Sequence, residues 1–325
     1  MLSSDSVLTI ECPPSFRFRS TLLSHGWIEL APFSHDEEYA RLRRIESLPD
    51  GRIVRLAFTA DMDGAGGVSR GERLHVHIEE TLAHGSGAAE HAANALLSPP
   101  VHAHLREVAR RIFNLEMDLE PFYTLLASVP RYAWVLAHRA GRLLRAPTVW
   151  EDLAKTLLTT NTTWAMTRQM TQRLNDLGQA GAFPSPGTVA DLSLDMFSDH
   201  VRAGYRNAYL HELACRIAEE KIDVEGWLYT EMSSADLFAE IRSLSGFGPY
   251  AAGAVMKLLG RFDYLALDSS ARSMFSRKFG GGTDTDIRRH YAPCGSWQGL
   301  AIWMDVMQDW FLQNSDPGVV PDASM

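Results

Sequence analysis

The chain has 325 residues, 46 % of them hydrophobic, which is enough to bury a sizeable core and corresponds to roughly two domains. Its net charge of -9 speaks against a protein that simply coats nucleic acid. Cys12, Cys215 and Cys294 lie far apart and lack metal-ligand spacing, so neither a disulfide framework nor a zinc or iron-sulfur site is expected and the thiols read as buried.

The opening MLSSDSVLTIECPPS has no basic n-region and no sustained apolar run, and nowhere do about twenty apolar residues follow one another, so an intracellular protein is expected. A short helix-like segment near Phe16 to Ser24 comes next. The stretches GWIELAPF, EYARLRRIES, GRIVRLAFTAD and ERLHVHIEE then alternate or carry β-branched and aromatic residues, with glycine-rich turns such as DGAGG between them. They predict an antiparallel sheet with one face covered by helices. His75, His77, His84 and His91 fall in and after the last of these stretches; His75 and His77 read as decorating a solvated strand.

From about Ala88 the period becomes helical. HAHLREVARRIFNL, PFYTLLASV, VWEDLAKTLLTTN, WAMTRQMTQRLNDLG, VADLSLDMFSDHV, NAYLHELACRIAEEK and SADLFAEIRSL place apolar residues three and four apart. Thr148 suits the N-cap of the helix at Trp150, with Glu151 completing a capping box, and Gly178 suits the stop ahead of QAGAFPSPG. The fold class is therefore α+β: a small antiparallel sheet domain over residues 1–100 and a helical region over 101–325, ending in a frayed NSDPGVVPDASM tail.

The most informative stretch is LSGFGPYAAGAVMKLLGRFDYLALDSS, Leu244 to Ser270. Gly246 and Gly248 allow a sharp turn, Pro249 suits the first turn of the helix that follows, and amides at a helix N-terminus make a seat for one phosphate. A plain corner between two helices would look the same. From Ile241 to Tyr291 eight basic residues face four acidic ones, a local excess of +4 that a solvated helix face would also give.

The order of parts resembles the helix-hairpin-helix DNA glycosylase superfamily. Leu244, Gly246 and Gly248 match its L-x-G-x-G turn, and Asp268 falls at its catalytic aspartate. VWEDLAKTLLTTNTTWAMT resembles the helix and loop that carry a Gln or Asn entering the space left by the extruded base, a position held here by Asn161. The likeness covers roughly residues 145–280. Residues 1–100 are similar to the TATA-binding-protein-like first domain of the 3-methyladenine DNA glycosylase II and 8-oxoguanine branch, through SFRFRSTLLSHGW and VARRIFNLEMDLEPFY.

The resemblance implies a hydrolase that extrudes a damaged base from double-stranded DNA and cuts its N-glycosidic bond. Amides after Gly246 and Gly248 would hold a phosphate, and the carbonyls of Arg242, Leu244 and Phe247 a structural Na+ or K+. No other cofactor and no iron-sulfur cluster is implied. Asp268 would stabilise the cationic sugar, although an aspartate before SSARSMF also suits a helix N-cap, and Asn161 could merely end its helix. Some members carry a lysine where this chain has Tyr250; Lys257 lies two helical turns on and Lys155 in another helix, so a monofunctional enzyme without lyase activity is expected. Its substrate is read as an alkylated purine stacked on Tyr250, with Trp164 and Tyr205 as further pocket candidates. An 8-oxoguanine-type glycosylase and a non-catalytic DNA-binding protein are the alternatives. A monomer in the cytoplasm, on the nucleoid in a bacterium and with no membrane partner, completes the expectation.

Overall fold

The computed structural model describes residues 8–61, 71–83 and 98–315. Five strands, β1 (Leu8–Glu11), β2 (Phe33–His35), β3 (Leu42–Ser47), β4 (Ile53–Ala60) and β5 (Arg73–Ala83), form one antiparallel sheet in the order β1-β5-β4-β3-β2. The period-2 pattern sets the register. Leu42 faces Phe58, Phe58 faces Val76 and Val76 faces Leu8, so one row of buried apolar side chains crosses four strands. Helix α1 (Phe18–Leu22) precedes β2, and α2 (Pro99–Ile112) covers the apolar face with Val101, Leu105, Val108, Ala109 and Ile112, which share one helical stripe. The core of the layer that begins with β1 takes in α2 and runs on to Leu115, with Leu144 and Leu258 joining it.

Two of the expected elements change. GWIELAPF is not a strand: Gly26–Glu29 forms a 3-10 turn, and only Phe33–His35 pairs with β3. VADLSLDMFSDHV divides into α7 (Pro186–Ala190) and α8 (Leu194–Val201), because the Ser193 hydroxyl caps a new helix on the Met196 amide. His84, His91 and nearly all of the expected frayed tail lie outside the described residues. His75 bonds Thr9 and Asp61, and His77 bonds Thr59; no metal-binding cluster of His, Cys, Asp or Glu occurs among the described residues.

The helical body has two halves. One is continuous in sequence and holds α5 (Val149–Leu158), α6 (Trp164–Asn175), α7, α8, α9 (Arg206–Ala218), α10 (Ser234–Arg242) and α11 (Pro249–Leu258) around a single core. The other joins α3 (Glu120–Leu126) and α4 (Ala133–Ala137) to α12 (Ser269–Phe279), α13 (Asp284–Tyr291) and α14 (Gln298–Asn314), with Leu23 of the N-terminal segment in the same core. Buried Tyr132 and Tyr291 each donate a 2.7 Å hydrogen bond to Asp305, tying α13 and α14 to the segment before α4.

Thr148 caps α5 as expected, accepting from the Glu151 amide at 3.2 Å, but Glu151 does not close a capping box. Its carboxylate is buried and is taken instead by Arg44 of β3 at 3.1 Å and Lys155 at 2.7 Å. Burial pushes that carboxyl up, yet the two cations outweigh burial and hold it below its ordinary value. This cluster fastens the sheet to the helical body. Among the described residues, no helix is long and apolar enough to cross a membrane.

Candidate active site

A cleft of about 850 Å3 opens between the two helical halves and the N-terminal segment. Each side supplies different residues. Asn161, Trp164 and Tyr250 come from the first half, Asp268, Trp303, Met307 and Trp310 from the second, and His25, Trp27 and Glu29 from the segment around the 3-10 turn. Its volume is within the range of small-ligand sites.

Asp268 stands at the start of α12, where its Oδ1 accepts the Ala271 amide at 2.7 Å. The N-cap reading of this residue therefore holds. It does not use up the carboxylate: Asp268 is half-buried and lines the cleft. Tyr250 sits in the second position of α11 and lines the same space. Burial first, and then the nearby Asp268 charge, push its phenol above the ordinary value.

The hairpin joins α10 to α11. Gly246 has φ +85°, and a Cβ there would lie 2.6 Å from Tyr209 and 2.7 Å from Leu157, so both conformation and packing require glycine. Gly248 differs. Its φ is -71°, and a Cβ would meet no protein atom within 4 Å. The Tyr250 and Ala251 amides that follow are in the first helical turn and lack an intrahelical acceptor. In the turn itself the Leu244 carbonyl accepts the Phe247 amide at 3.1 Å, while the carbonyls of Arg242 and Phe247 receive no hydrogen bond from the described residues.

Asn161 is exposed in the loop between α5 and α6, held at φ +43°, and its Nδ2 donates to the Tyr205 hydroxyl at 3.2 Å. The loop is stiffened from below: buried Arg206 donates to the carbonyls of Thr160, Asn161 and Ala203. Trp164, 38 % exposed, donates its Nε1 to Glu29 at 2.7 Å and occupies the space left by Gly26 at the cleft rim. Tyr205 does not line the cleft. It is 51 % exposed, lies outside the cleft lining and stands beside Asn161 on the outer surface, because its place just before α9 faces away from the cleft.

The cleft also contains groups that the sequence reading passed over. Trp27 donates to Asp152 at 2.7 Å and Trp303 to the Ser24 carbonyl at 2.9 Å, so both indoles are pinned. Beneath them the cleft continues into an inner chamber of about 60 Å3, lined by His25, Trp27, Thr156, Tyr250, Lys257 and Trp303 among others. Lys257 was legible as a neighbour of Tyr250, since residues seven apart share a helix face. Trp303, Met307 and Trp310 repeat at four- and three-residue spacing along α14, a stripe that could also have been found.

The local basic excess from Ile241 to Tyr291 is largely engaged within the protein. Arg272 pairs with Asp284 at 2.7 Å, Arg277 with Asp309, and Arg289 with Asp286. Lys278 donates to the Asp305 carbonyl, Arg261 to the Thr230 carbonyl, and Lys257 is buried.

No protein-family model matches the sequence, and no curated protein matches it significantly. The fold is nevertheless similar to those of solved DNA glycosylases. MBOgg1 in complex with a low affinity DNA ligand gives a TM-score of 0.65 at 15 % identity, covering 93 % of this chain and 95 % of that one. The 3-methyladenine DNA glycosylase from Archaeoglobus fulgidus gives 0.63 at 18 % identity, covering 94 % and 98 %. The apo form of the Clostridium acetobutylicum 8-oxoguanine glycosylase/lyase gives 0.62 at 14 % identity, covering 92 % and 95 %. These likenesses extend over both the sheet and the helical body.

Proposed function

We propose that the protein is a DNA glycosylase that draws a damaged purine out of double-stranded DNA and hydrolyses its N-glycosidic bond. The observation that carries this reading is the meeting of Asp268, Asn161 and Tyr250, the second residue of the helix that the hairpin opens, around one aromatic-walled cleft. A stacked base is out of reach, so the nucleotide must be extruded and its backbone gripped. The amides at the start of α11 suit a phosphate, and the open space at Gly248 suits close approach of a backbone from outside. A grip made of backbone dipoles needs few basic side chains, which agrees with the net charge of -9.

As the bond to the base lengthens, positive charge grows on the deoxyribose. Asp268, with one oxygen held by Ala271 and its carboxylate in the cleft, stabilises that charge and orients water. Asn161 enters the gap left in the duplex. The Arg242 and Phe247 carbonyls, having no donors of their own, would hold a Na+ or K+ together with Leu244, and that ion would supply positive charge next to the gripped phosphate.

Water rather than an amine is the nucleophile in this reading. Tyr250 stands where a lysine would, and Lys257 is directed into the inner chamber, which Asp268 does not line. The rings of Trp27, Tyr250 and Trp303 support an alkylated purine, whose positive charge favours stacking on them. An oxidised purine is the second reading, and Lys257 at the chamber wall favours it.

The test is to incubate the protein with duplexes carrying alkylated, oxidised and deaminated purines and to measure abasic sites. Asp268→Asn should lower the rate by roughly 10²-fold or more, while stability stays within about 1 kcal/mol because Asn also caps helices well. Release of no base by the wild type, or full activity in Asp268→Asn, would sink the proposal.

A further inference from the structure

Two buried polar side chains of the inner chamber have no hydrogen-bond partner. Lys257 is only 7 % exposed and, among the described residues, its amine makes no hydrogen bond or ion pair and meets only the face of Trp303, its Nζ 3.6 Å from the ring centroid. Thr156 is fully buried and its hydroxyl has no hydrogen-bond partner. Leaving such groups unsatisfied costs about 1–3 kcal/mol each, so their convergence on one cavity points to something that enters it. The chamber, about 60 Å3, is far too small for a whole purine but has room for one or two substituent atoms. It shares His25, Trp27, Thr159, Tyr250 and Trp303 with the cleft above, so whatever enters arrives from there.

The third polar group is His25. Burial pushes its ring down to about 3, so the ring is neutral. A neutral ring bonded through Nε2 to the Leu144 carbonyl must carry its proton there, which leaves Nδ1 as an acceptor. Besides the hydroxyls of Tyr250 and Thr159, the surroundings of the chamber thus contain the Lys257 amine and the Thr156 hydroxyl as donors and the His25 ring as an acceptor.

We propose that the inner chamber is a subsite for the leading edge of the extruded base, in which Lys257 and Thr156 select a neutral purine with a carbonyl oxygen beside a ring N–H over a cationic N-alkylated adenine, which lacks that edge. The inference rests on the glycosylase reading above and decides between its two substrate classes. An oxygen entering the chamber satisfies both orphan donors, and an adjacent N–H suits the His25 acceptor. A cationic base brings positive charge against the Lys257 ammonium in a site with little water, where like charges repel strongly. Burial also pushes the Lys257 amine down to about 7, with the Asp268 charge opposing that shift, and the amine donates in either protonation state. The aromatic walls favour a cationic base, but every purine has a π face to stack on them; selection lies at the edge and opposes that preference.

The experiment compares single-turnover release of 8-oxoguanine, hypoxanthine and 3-methyladenine, which is cationic in DNA and has no carbonyl oxygen, from matched duplexes by wild type, Lys257→Met and Thr156→Val. Wild type should release at least one of the two neutral bases faster than 3-methyladenine. Lys257→Met should shift that ratio toward 3-methyladenine by about tenfold or more, as expected when a hydrogen bond from a charged donor is lost. Thr156→Val should shift it the same way by a smaller factor, and it decides the matter if Lys257→Met does not fold. Binding of a duplex with a tetrahydrofuran abasic analogue, which places no base in the chamber, reports folding. A wild-type preference for 3-methyladenine, or a ratio unmoved in folded variants, overturns the selection proposal while leaving the glycosylase intact. Failure of wild type to release any base overturns both.

Discussion

Trp27 donates its indole N–H to Asp152 across 2.7 Å, and the same carboxylate oxygen accepts the Ala146 amide at 3.0 Å. This one oxygen joins the N-terminal segment, which supplies a wall of the cleft, to α5, whose far end leads into the Asn161 loop. Burial pushes the Asp152 carboxyl up to about 7, so its neutral form is readily reached. Asp152→Ala should destabilise the protein by about 2–4 kcal/mol, because two buried donors lose their acceptor, and should loosen Trp27. Asp152→Asn should keep most of the stability and activity, since an amide oxygen accepts the same bonds. Urea unfolding and base release for the pair check this; equal losses in both variants would mean that charge, not the acceptor, matters.

Lys257 gives a pH prediction. Its amine falls from an ordinary 10.5 to about 7 in the folded protein, first because it is buried. Between these values the unfolded chain holds more protons than the folded one, so stability rises with pH across that window. Below about pH 7 the cost of burying the cation is present in full, and it fades as pH rises toward 10.5. Lys257→Met removes the charge at similar volume. It should be more stable than wild type at pH 6 by about 1–4 kcal/mol, the range seen when buried ions give way to apolar groups. The gap should narrow steadily to pH 9.5. Chemical denaturation at several pH values measures it, and a gap that widens with pH would contradict the assignment.

Borohydride reduction tests the choice of nucleophile. An amine that attacks the sugar leaves a Schiff base, which borohydride traps as a covalent protein-DNA adduct. Tyr250 cannot form one, and the Lys257 amine is seated over Trp303 in the chamber below. The expected result is a duplex with abasic sites, no trapped adduct and no strand cut. An adduct that persists in Lys257→Met would place the nucleophile on another residue.

Much of the site could be read from the sequence because its parts depend on backbone geometry. Gly246 and Asp268 hold their positions through a left-handed turn and a helix cap, features with strong local signatures. Strands β3 to β5 were legible from their period. What was not legible depends on distant contacts. GWIELAPF has strand-like composition, yet Trp27 and Ile28 are buried from a 3-10 turn, with Trp27 pinned by Asp152, 125 residues away. Glu151 suited a capping box until Arg44, on a strand 107 residues earlier, was placed against it. Tyr205 looked like a pocket aromatic, but only the packing of α9 determines that it faces outward beside Asn161.

The two hairpin glycines should separate fold from binding. Gly246→Ala forces a Cβ into the +85° conformation and to within 2.6 Å of Tyr209, so it should cost about 1–3 kcal/mol of stability and disturb the hairpin as a whole. Gly248→Ala has neither problem. Its backbone is in the extended region that precedes proline, and the added methyl meets no protein atom within 4 Å. Loss of a favourable N-cap and gain of unfolded-state restriction nearly cancel, so stability should stay within about 1 kcal/mol of wild type. If the methyl occupies the approach of a DNA phosphate, affinity for a duplex with an abasic analogue should fall by about tenfold, the effect of losing one charge-assisted hydrogen bond. Thermal unfolding and fluorescence anisotropy on both variants make the comparison. Wild-type affinity in a stable Gly248→Ala variant would mean that DNA does not approach this turn, and the phosphate seat would have to be sought at another element.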